Sequence, residues 1–220
     1  MREIILDTET TGLDPKSGHR IIEIGALEMH NKILTGNYFH HYINPERDVP
    51  FEAFQVHGIS SEYLADKPKF SEIADSFLEF IENSPLIIHN ASFDMNFINH
   101  ELELLSKPTI DYSFAIDTLA MARKIFPGQR NNLDALCKRY GIDISHRKYH
   151  GALKDASLLS EVYIELTGGR QTKFALQDKK IEKARVIEVS SSYEGMDLKI
   201  IHPTRDEIEA REALLREIKK

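Results

Sequence analysis

Apolar positions along this chain follow two rhythms. The first 45 residues carry short apolar runs broken by turn residues, and most of the rest repeats at helical spacing. Ile4-Ile5-Leu6 opens a strand that breaks at Gly12, and a turn-rich loop runs to Gly18. Residues 21–29 and 33–43 form two further strands joined by a turn at His30-Asn31-Lys32, closed by Asn44-Pro45. Three strands in succession without a helix between them predict an antiparallel start to a sheet. Residues 46–68 are mixed, with helical pieces at 51–56 and 60–65. Phe70, Ile73, Ala74, Phe77, Leu78 and Ile81 then mark one face of an amphipathic helix, stopped by Asn83-Ser84-Pro85. Leu86-Ile87-Ile88 reads as a short buried strand feeding a helix that continues to about Leu105. Helices follow over 118–126, 132–140 and 152–167, punctuated by Pro127-Gly128 and Gly141. The whole is an α/β pattern.

Gly168-Gly169 ends the compact part, so the expected divisions are a domain over 1–169, a polar linker over 170–183 and a tail over 184–220. In the tail, 184–189 and 196–201 read as short strands. Thr204-Arg205-Asp206-Glu207 is a capping box opening a last helix with a stripe of Ile208, Leu214, Leu215 and Ile218. So short a tail buries little surface alone, so it is expected to fold back on the domain or to dock on another protein, with docking the favoured reading.

Composition narrows the classes. With 220 residues and 41% hydrophobic side chains there is ample material for one core. A single cysteine, Cys137, excludes a disulfide framework and fits a reducing compartment. The chain enters a strand directly after Met1-Arg2-Glu3 with no signal peptide, and no apolar run reaches the ~18–20 residues of a membrane span. A soluble cytoplasmic protein is expected. The net charge of −7 argues against gripping nucleic acid by bulk electrostatics. Its distribution is uneven: residues 1–116 carry 8 basic and 19 acidic side chains, whereas 117–155 carry 8 basic and 4 acidic. A positive stretch beside an acidic site suits a polyanionic substrate, although ordinary exposed helix charges would read the same.

The acidic site begins at Asp7 and Glu9. Two residues apart on a strand, they point to one face and crowd two carboxylates into a small volume. Such a pair is costly to bury unless a cation joins it, and Mg²⁺ takes a few carboxylates with water and phosphate oxygens. A solvated strand face would also contain such a pair, so further ligands are needed. Asp94 stands at the start of a helix after a buried strand, and Asp155 lies inside a later helix. His150 is five residues before Asp155, a spacing of roughly 500° on a continuous helix, so it must lie on the preceding loop if the two converge. Gly151 makes that break easy. Four carboxylates and a histidine of ordinary pKa near 6.5 equip a site for two-metal phosphodiester hydrolysis, with ions about 3.5–4 Å apart and the imidazole taking a proton from water.

In order and spacing, D-x-E-T-T-G from Asp7, H-N-A-x-F-D from His89 and H-x-A-x-x-D from His150 resemble the three motifs of the DEDDh 3′–5′ exonucleases. Leu34-Thr35-Gly36, His57-Gly58-Ile59, Ala122-Arg123-Lys124-Ile125-Phe126-Pro127-Gly128, the segment from Asn132 to Cys137 and Thr167-Gly168-Gly169-Arg170-Gln171-Thr172 are similar to the proofreading, epsilon-type branch of that family in bacterial DNA polymerase III. The resemblance covers residues 1–176 closely and the tail loosely.

It implies a ribonuclease-H-like mixed sheet of five strands, three antiparallel and two further parallel, flanked by helices and followed by a partner-binding tail. It implies that Asp7, Glu9, Asp94 and Asp155 hold two divalent ions (Mg²⁺ or Mn²⁺) and that His150 is the general base. Thr10, Thr11 and Leu13 would lie against the 3′-terminal nucleotide, Glu52 and His57 would contact it, and Asn90 would support the terminal phosphate or Asp94. The DNA 3′ end is the expected substrate, and the tail would bind the polymerase catalytic (alpha) subunit. The segment Gln171-Thr172-Lys173-Phe174-Ala175-Leu176 resembles the glutamine-led peptide that docks on sliding clamps, with Gln171, Phe174 and Leu176 as contacts, although a plain linker reads equally well. A small accessory subunit is a further partner to consider. No motif position departs from the family pattern, which implies an active enzyme. Two other readings stay open: an RNA-trimming exonuclease with the same motifs, and an adaptor whose tail is the function.

Overall fold

The computed structural model describes residues 1–145, 149–168 and 204–205. Its contacts divide the chain into two units, Met1–Phe174 and Ala175–Lys220, and the fold below belongs to the first. The expected linker, the tail's two strands, nearly all of its helix, and Gln171, Phe174 and Leu176 lie outside the described residues, as do Arg147 and Lys148.

Five strands form one sheet. β1 (Arg2–Thr10), β2 (Ile21–His30) and β3 (Ile33–Tyr42) are antiparallel neighbours. β4 (Leu86–Ile88) pairs parallel with β1, and β5 (Ala115–Asp117) parallel with β4, giving the order β3-β2-β1-β4-β5. The β2–β3 turn is a two-residue hairpin with Asn31 and Lys32 both at positive φ (52° and 67°), the primed geometry that matches strand twist. Seven helices are described: α1 (Phe51–His57), α2 (Ser61–Leu64), α3 (Phe70–Ile81), α4 (Ala91–Leu104), α5 (Thr118–Ile125), α6 (Leu133–Tyr140) and α7 (Ala152–Leu166). Each lies where the apolar spacing predicts, within a residue or two at its ends.

Strand alternation sorts β1 between two cores. Ile4 and Leu6 face α3 and α4, packing with Phe70, Phe77, Phe97 and Ile98. Ile5 faces the other way, onto Ala156, Leu159 and Tyr163 of α7. Helices therefore cover both faces, and β1, buried on each, is the central strand. Fully burying side chains of this size is worth about 1.5–3 kcal/mol each.

A glycine sets the closest approach. Gly25 of β2 stands opposite Asp7, and a Cβ built there would lie 2.2–2.4 Å from backbone atoms of Ala152 and Leu153. Only a residue without a side chain lets the first turn of α7 lie directly on the sheet beside Asp7. A second fixed point is Glu101 of α4, 2% exposed, which takes a bidentate grip from Arg20 (2.7 and 2.6 Å) and fastens the start of β2 to α4.

Candidate active site

Every group singled out for chemistry sits at or beside the carboxyl end of β1. Asp7 and Glu9 come from the face turned to α7. Between them, Thr8 points to the opposite face and meets α4. Its backbone N–H and its hydroxyl both donate to Asp94 Oδ1, at 3.0 and 2.7 Å. Asp94 lies in the first turn of α4 and is 3% exposed. Asp155 lies in the first turn of α7, also 3% exposed, and His150 on the loop ahead of it. The helix N-termini on the two faces thus each carry one aspartate to the end of the same strand, where the helix dipoles favour negative charge. Gly151, between His150 and α7, has φ −163°, extended backbone open to any residue. The expected ease of a break at glycine is therefore not what separates His150 from the helix; the start of α7 does that.

The electrostatics of the cluster are adverse without a cation. Burial raises the Asp7 carboxyl well above the usual carboxylate range, and the neighbouring charges of Asp94, Glu9, Asp155 and Glu23 push it further. Burial also raises Asp94 to about 7, against the pull of the Thr8 hydrogen bonds. Glu9, His150 and Asp155 each bring one ligand atom to within 4.8 Å of the others, and His150 Nδ1 lies 3.2 Å from Asp155 Oδ2. Oxygen donors whose charges repel one another fit a hard divalent cation.

Two cavities flank the carboxylates. One, of about 610 Å³, has Thr10, Thr11, Leu13, Glu52 and His57 in its wall, with Glu9, Val56 and Phe93. The five expected nucleotide contacts are therefore gathered in one place. Leu13, 85% exposed, projects from its rim. The two threonines contribute shape more than hydroxyls. Thr10 Oγ1 donates to Gly12 O (2.6 Å), while the fully buried Thr11 hydroxyl accepts from Arg20 N–H (3.0 Å) and meets His19 Nδ1 (3.2 Å). His57 is 5% exposed; its Nδ1 accepts the Ile59 N–H (3.0 Å), which leaves the proton on Nε2, and that buried atom has no partner among the described residues. Burial lowers the His57 pKa and keeps the ring neutral, against the attraction of Glu23.

The second cavity, of about 550 Å³, is lined by Asp7, Asp155, His150, His89, Asn90 and Arg123, among others. Asn90, in the left-handed region (φ 68°), anchors the start of α4 by donating its N–H to Asp117 Oδ1 (3.2 Å). Asp94 Oδ1 is held by Thr8. Of the cations in 117–155, Arg123 lines this cavity, whereas Arg139 is spent on Asn131, Gln129 and the Phe126 ring.

Thr8, Gly25 and Glu23 escape sequence reasoning. Thr8 could have been found from strand alternation, since it must face the element that carries Asp94. Glu23, 2% exposed, pairs with Glu9 across β1–β2 and bonds His40 Nε2 (2.8 Å). Nothing in its local sequence separates it from a surface glutamate.

Comparison with known proteins agrees with this geometry. The exonuclease family model matches residues 4–163. The chain is 58% identical to the DNA polymerase III subunit epsilon of Rickettsia felis, over all of this chain and 98% of that one. It is 46% identical to the Escherichia coli K12 subunit of the same name, over all of this chain and 94% of that one. Among solved structures, exonuclease X in complex with 5′ overhanging duplex DNA superposes with a TM-score of 0.59 at 25% identity, covering 74% of this chain and 90% of that one. The nuclease domain of 3′hExo, a DEDDh family member bound to rAMP, shares the fold with a TM-score of 0.65 at 15% identity, over 76% of this chain and 91% of that one.

Proposed function

The chain belongs to the DEDDh exonuclease family, alongside the epsilon subunits of bacterial DNA polymerase III, and on that premise we propose that it removes 3′-terminal nucleotides from DNA as a replicase's proofreading subunit. The observation that carries the reading is the convergence of Asp7, Glu9, Asp94, Asp155 and His150 at the end of β1 beside a cavity of nucleotide size. Asp7, Glu9, Asp94 and Asp155 would hold two divalent ions, Mg²⁺ or Mn²⁺, which when bound supply Lewis-acid activation of water and charge neutralisation at the scissile phosphate.

The protein's own groups do the rest. Apolar walls from Leu13, Val56 and Phe93 take the base and sugar of the terminal nucleotide. The His57 Nε2–H, buried without a partner among the described residues, donates to an oxygen of the terminal sugar. Glu52, on the same wall, accepts a hydroxyl hydrogen. His150, whose Nδ1 faces Asp155 Oδ2 at 3.2 Å, accepts the proton of the attacking water at Nε2. The phosphodiester then breaks on its 3′-oxygen side and releases a nucleoside 5′-monophosphate. Asn90, which lines the cavity with Asp7 and Asp155, would support the terminal phosphate.

The tail is the tether in this reading, binding the polymerase alpha subunit in the cytoplasmic replisome. Residues 171–176 are the candidate clamp peptide. A tethered subunit meets its substrate at high effective concentration, so a net charge of −7 is no handicap. The test is shortening of a 5′-labelled single-stranded DNA oligomer and its RNA counterpart, with Mg²⁺ and with chelator. Metal-dependent, stepwise loss from the DNA 3′ end, much faster than from RNA, is expected. Faster RNA shortening would transfer the protein to RNA trimming, and no shortening of either would leave only the adaptor.

A further inference from the structure

His150 is held from two directions. Its ring meets Asp155 on α7, as described above, while its main chain is fastened to α1: the His150 N–H donates to Val56 O at 3.2 Å. One residue earlier, the ring of Tyr149 lies flat against the residue that ends α1. A Cβ built on Gly58 would stand 3.0–3.2 Å from three of the tyrosine ring carbons. Gly58 is the left-handed cap of α1 (φ 72°), its N–H donating to Phe54 O at 2.7 Å. Glycine is thus required there twice, once by the backbone and once by the ring seated on it. The tyrosine is 45% exposed, so the fold does not need it as core.

These contacts tie the histidine to a helix that is also a wall of the terminal-nucleotide cavity, through Glu52, Ala53, Val56 and His57. We propose that Tyr149 is a positioning residue for the general base: its ring, seated on Gly58, fixes the backbone of His150 against the last turn of α1. The base and the seat of the terminal nucleotide then share one rigid support. A nucleotide lodged against α1 therefore finds the imidazole at a set distance. The flat face of the ring makes that contact, against the place where a Gly58 Cβ would stand. The proposal rests on the reading of His150 as general base.

Kinetics on a DNA oligomer with Mg²⁺ test it, using the full chain and five variants: Tyr149→Ala, Tyr149→Phe, His150→Ala, the double variant Tyr149→Ala/His150→Ala, and Gly58→Ala. General-base catalysis contributes about 10²–10⁴-fold, so a displaced base should lose part of that. Tyr149→Ala should lower kcat by roughly tenfold with KM within about twofold, and Tyr149→Phe should restore it. In the His150→Ala background the same truncation should cost nothing further, because a residue acting only through the histidine has nothing left to act on. Gly58→Ala, which drives a methyl into the ring, should reproduce the kcat loss. An unchanged kcat in Tyr149→Ala, a loss expressed in KM, or an equal further loss in the double variant would each overturn the proposal. Wild-type kcat in His150→Ala would remove the base assignment itself, and with it the proposal, whereas an inert Tyr149→Ala beside a disabled His150→Ala would leave the base standing.

Discussion

Replacing Asp7 with Asn should disable the enzyme and make the metal-free protein more stable. The substitution keeps the size of the side chain and removes one charge from a group of repelling carboxylates. The scale of the gain follows from Asp94, which burial holds at about 7 against an ordinary 3.8. At about 1.4 kcal/mol per pH unit, ionising Asp94 in the metal-free fold costs on the order of 4 kcal/mol. Asp7 is shifted in the same direction by burial and by four neighbouring carboxylates. Relieving one member of such a set should return about 1–3 kcal/mol at pH 8, or about 3–10 °C in Tm for a domain of this size. The pH dependence has a definite sign. Acids raised in the fold bind protons more tightly than in the unfolded chain, so the stability that Asp7 and Asp94 contribute is full below about pH 4 and is lost as pH rises through 7. Asp7→Asn should flatten that decline. Thermal melts in chelator from pH 5 to 8.5, repeated with Mg²⁺, measure all of this. The wild type should gain stability with Mg²⁺ by mass action, and the variant should lose most of that gain. A lower Tm for the variant in chelator at pH 8, or an undiminished Mg²⁺ response, would refute the account of the site.

Other perturbations test the scaffold. Arg20→Ala leaves Glu101 as a buried, unpaired charge and should cost about 3–5 kcal/mol in urea unfolding; a cost under 1 kcal/mol would mean that Glu101 reaches water or another partner. Gly25→Ala places a methyl about 2.2 Å from the α7 backbone, so α7 must lift and carry Asp155 away from Asp7. At least a hundredfold loss of nuclease activity is expected, and activity within threefold of wild type would show that α7 does not need that contact. Truncation after Gly169 should leave exonuclease activity on oligonucleotides intact and abolish co-elution with the polymerase subunit; persistent co-elution would place the tether in the first unit.

Much of this molecule is legible in its residues. The helix over 70–81 follows from its apolar stripe, and the β2–β3 hairpin from two flanking runs and a polar turn. Asp7, Glu9 and Asp94 stand out because charge follows the abrupt end of an apolar run, whereas His150 and Asp155 stand out only through the order and spacing of the three motifs taken together. Other features carry no local mark. β5 has only three residues, none fully buried, and is a strand because β4 offers a parallel edge to it. Thr8 reads as part of the strand's alternation, and its grip on Asp94 depends on which face α4 covers.

What the sequence determined by itself was therefore the inventory: which side chains carry charge, which spacing makes each element, and where each element ends. These are short-range matters, settled by periodicity and turn chemistry within a few residues. Only the tertiary structure decided which of 35 acidic residues share one volume. Glu23 joins the site from across the sheet, and Glu101 leaves solvent to hold Arg20. Gly25 permits the contact that brings Asp155 beside Asp7, and Tyr149 settles on Gly58 from 91 residues away along the chain. Electrostatic repulsion, burial and close backbone approach all act through space, and the order of residues along a chain does not contain those distances.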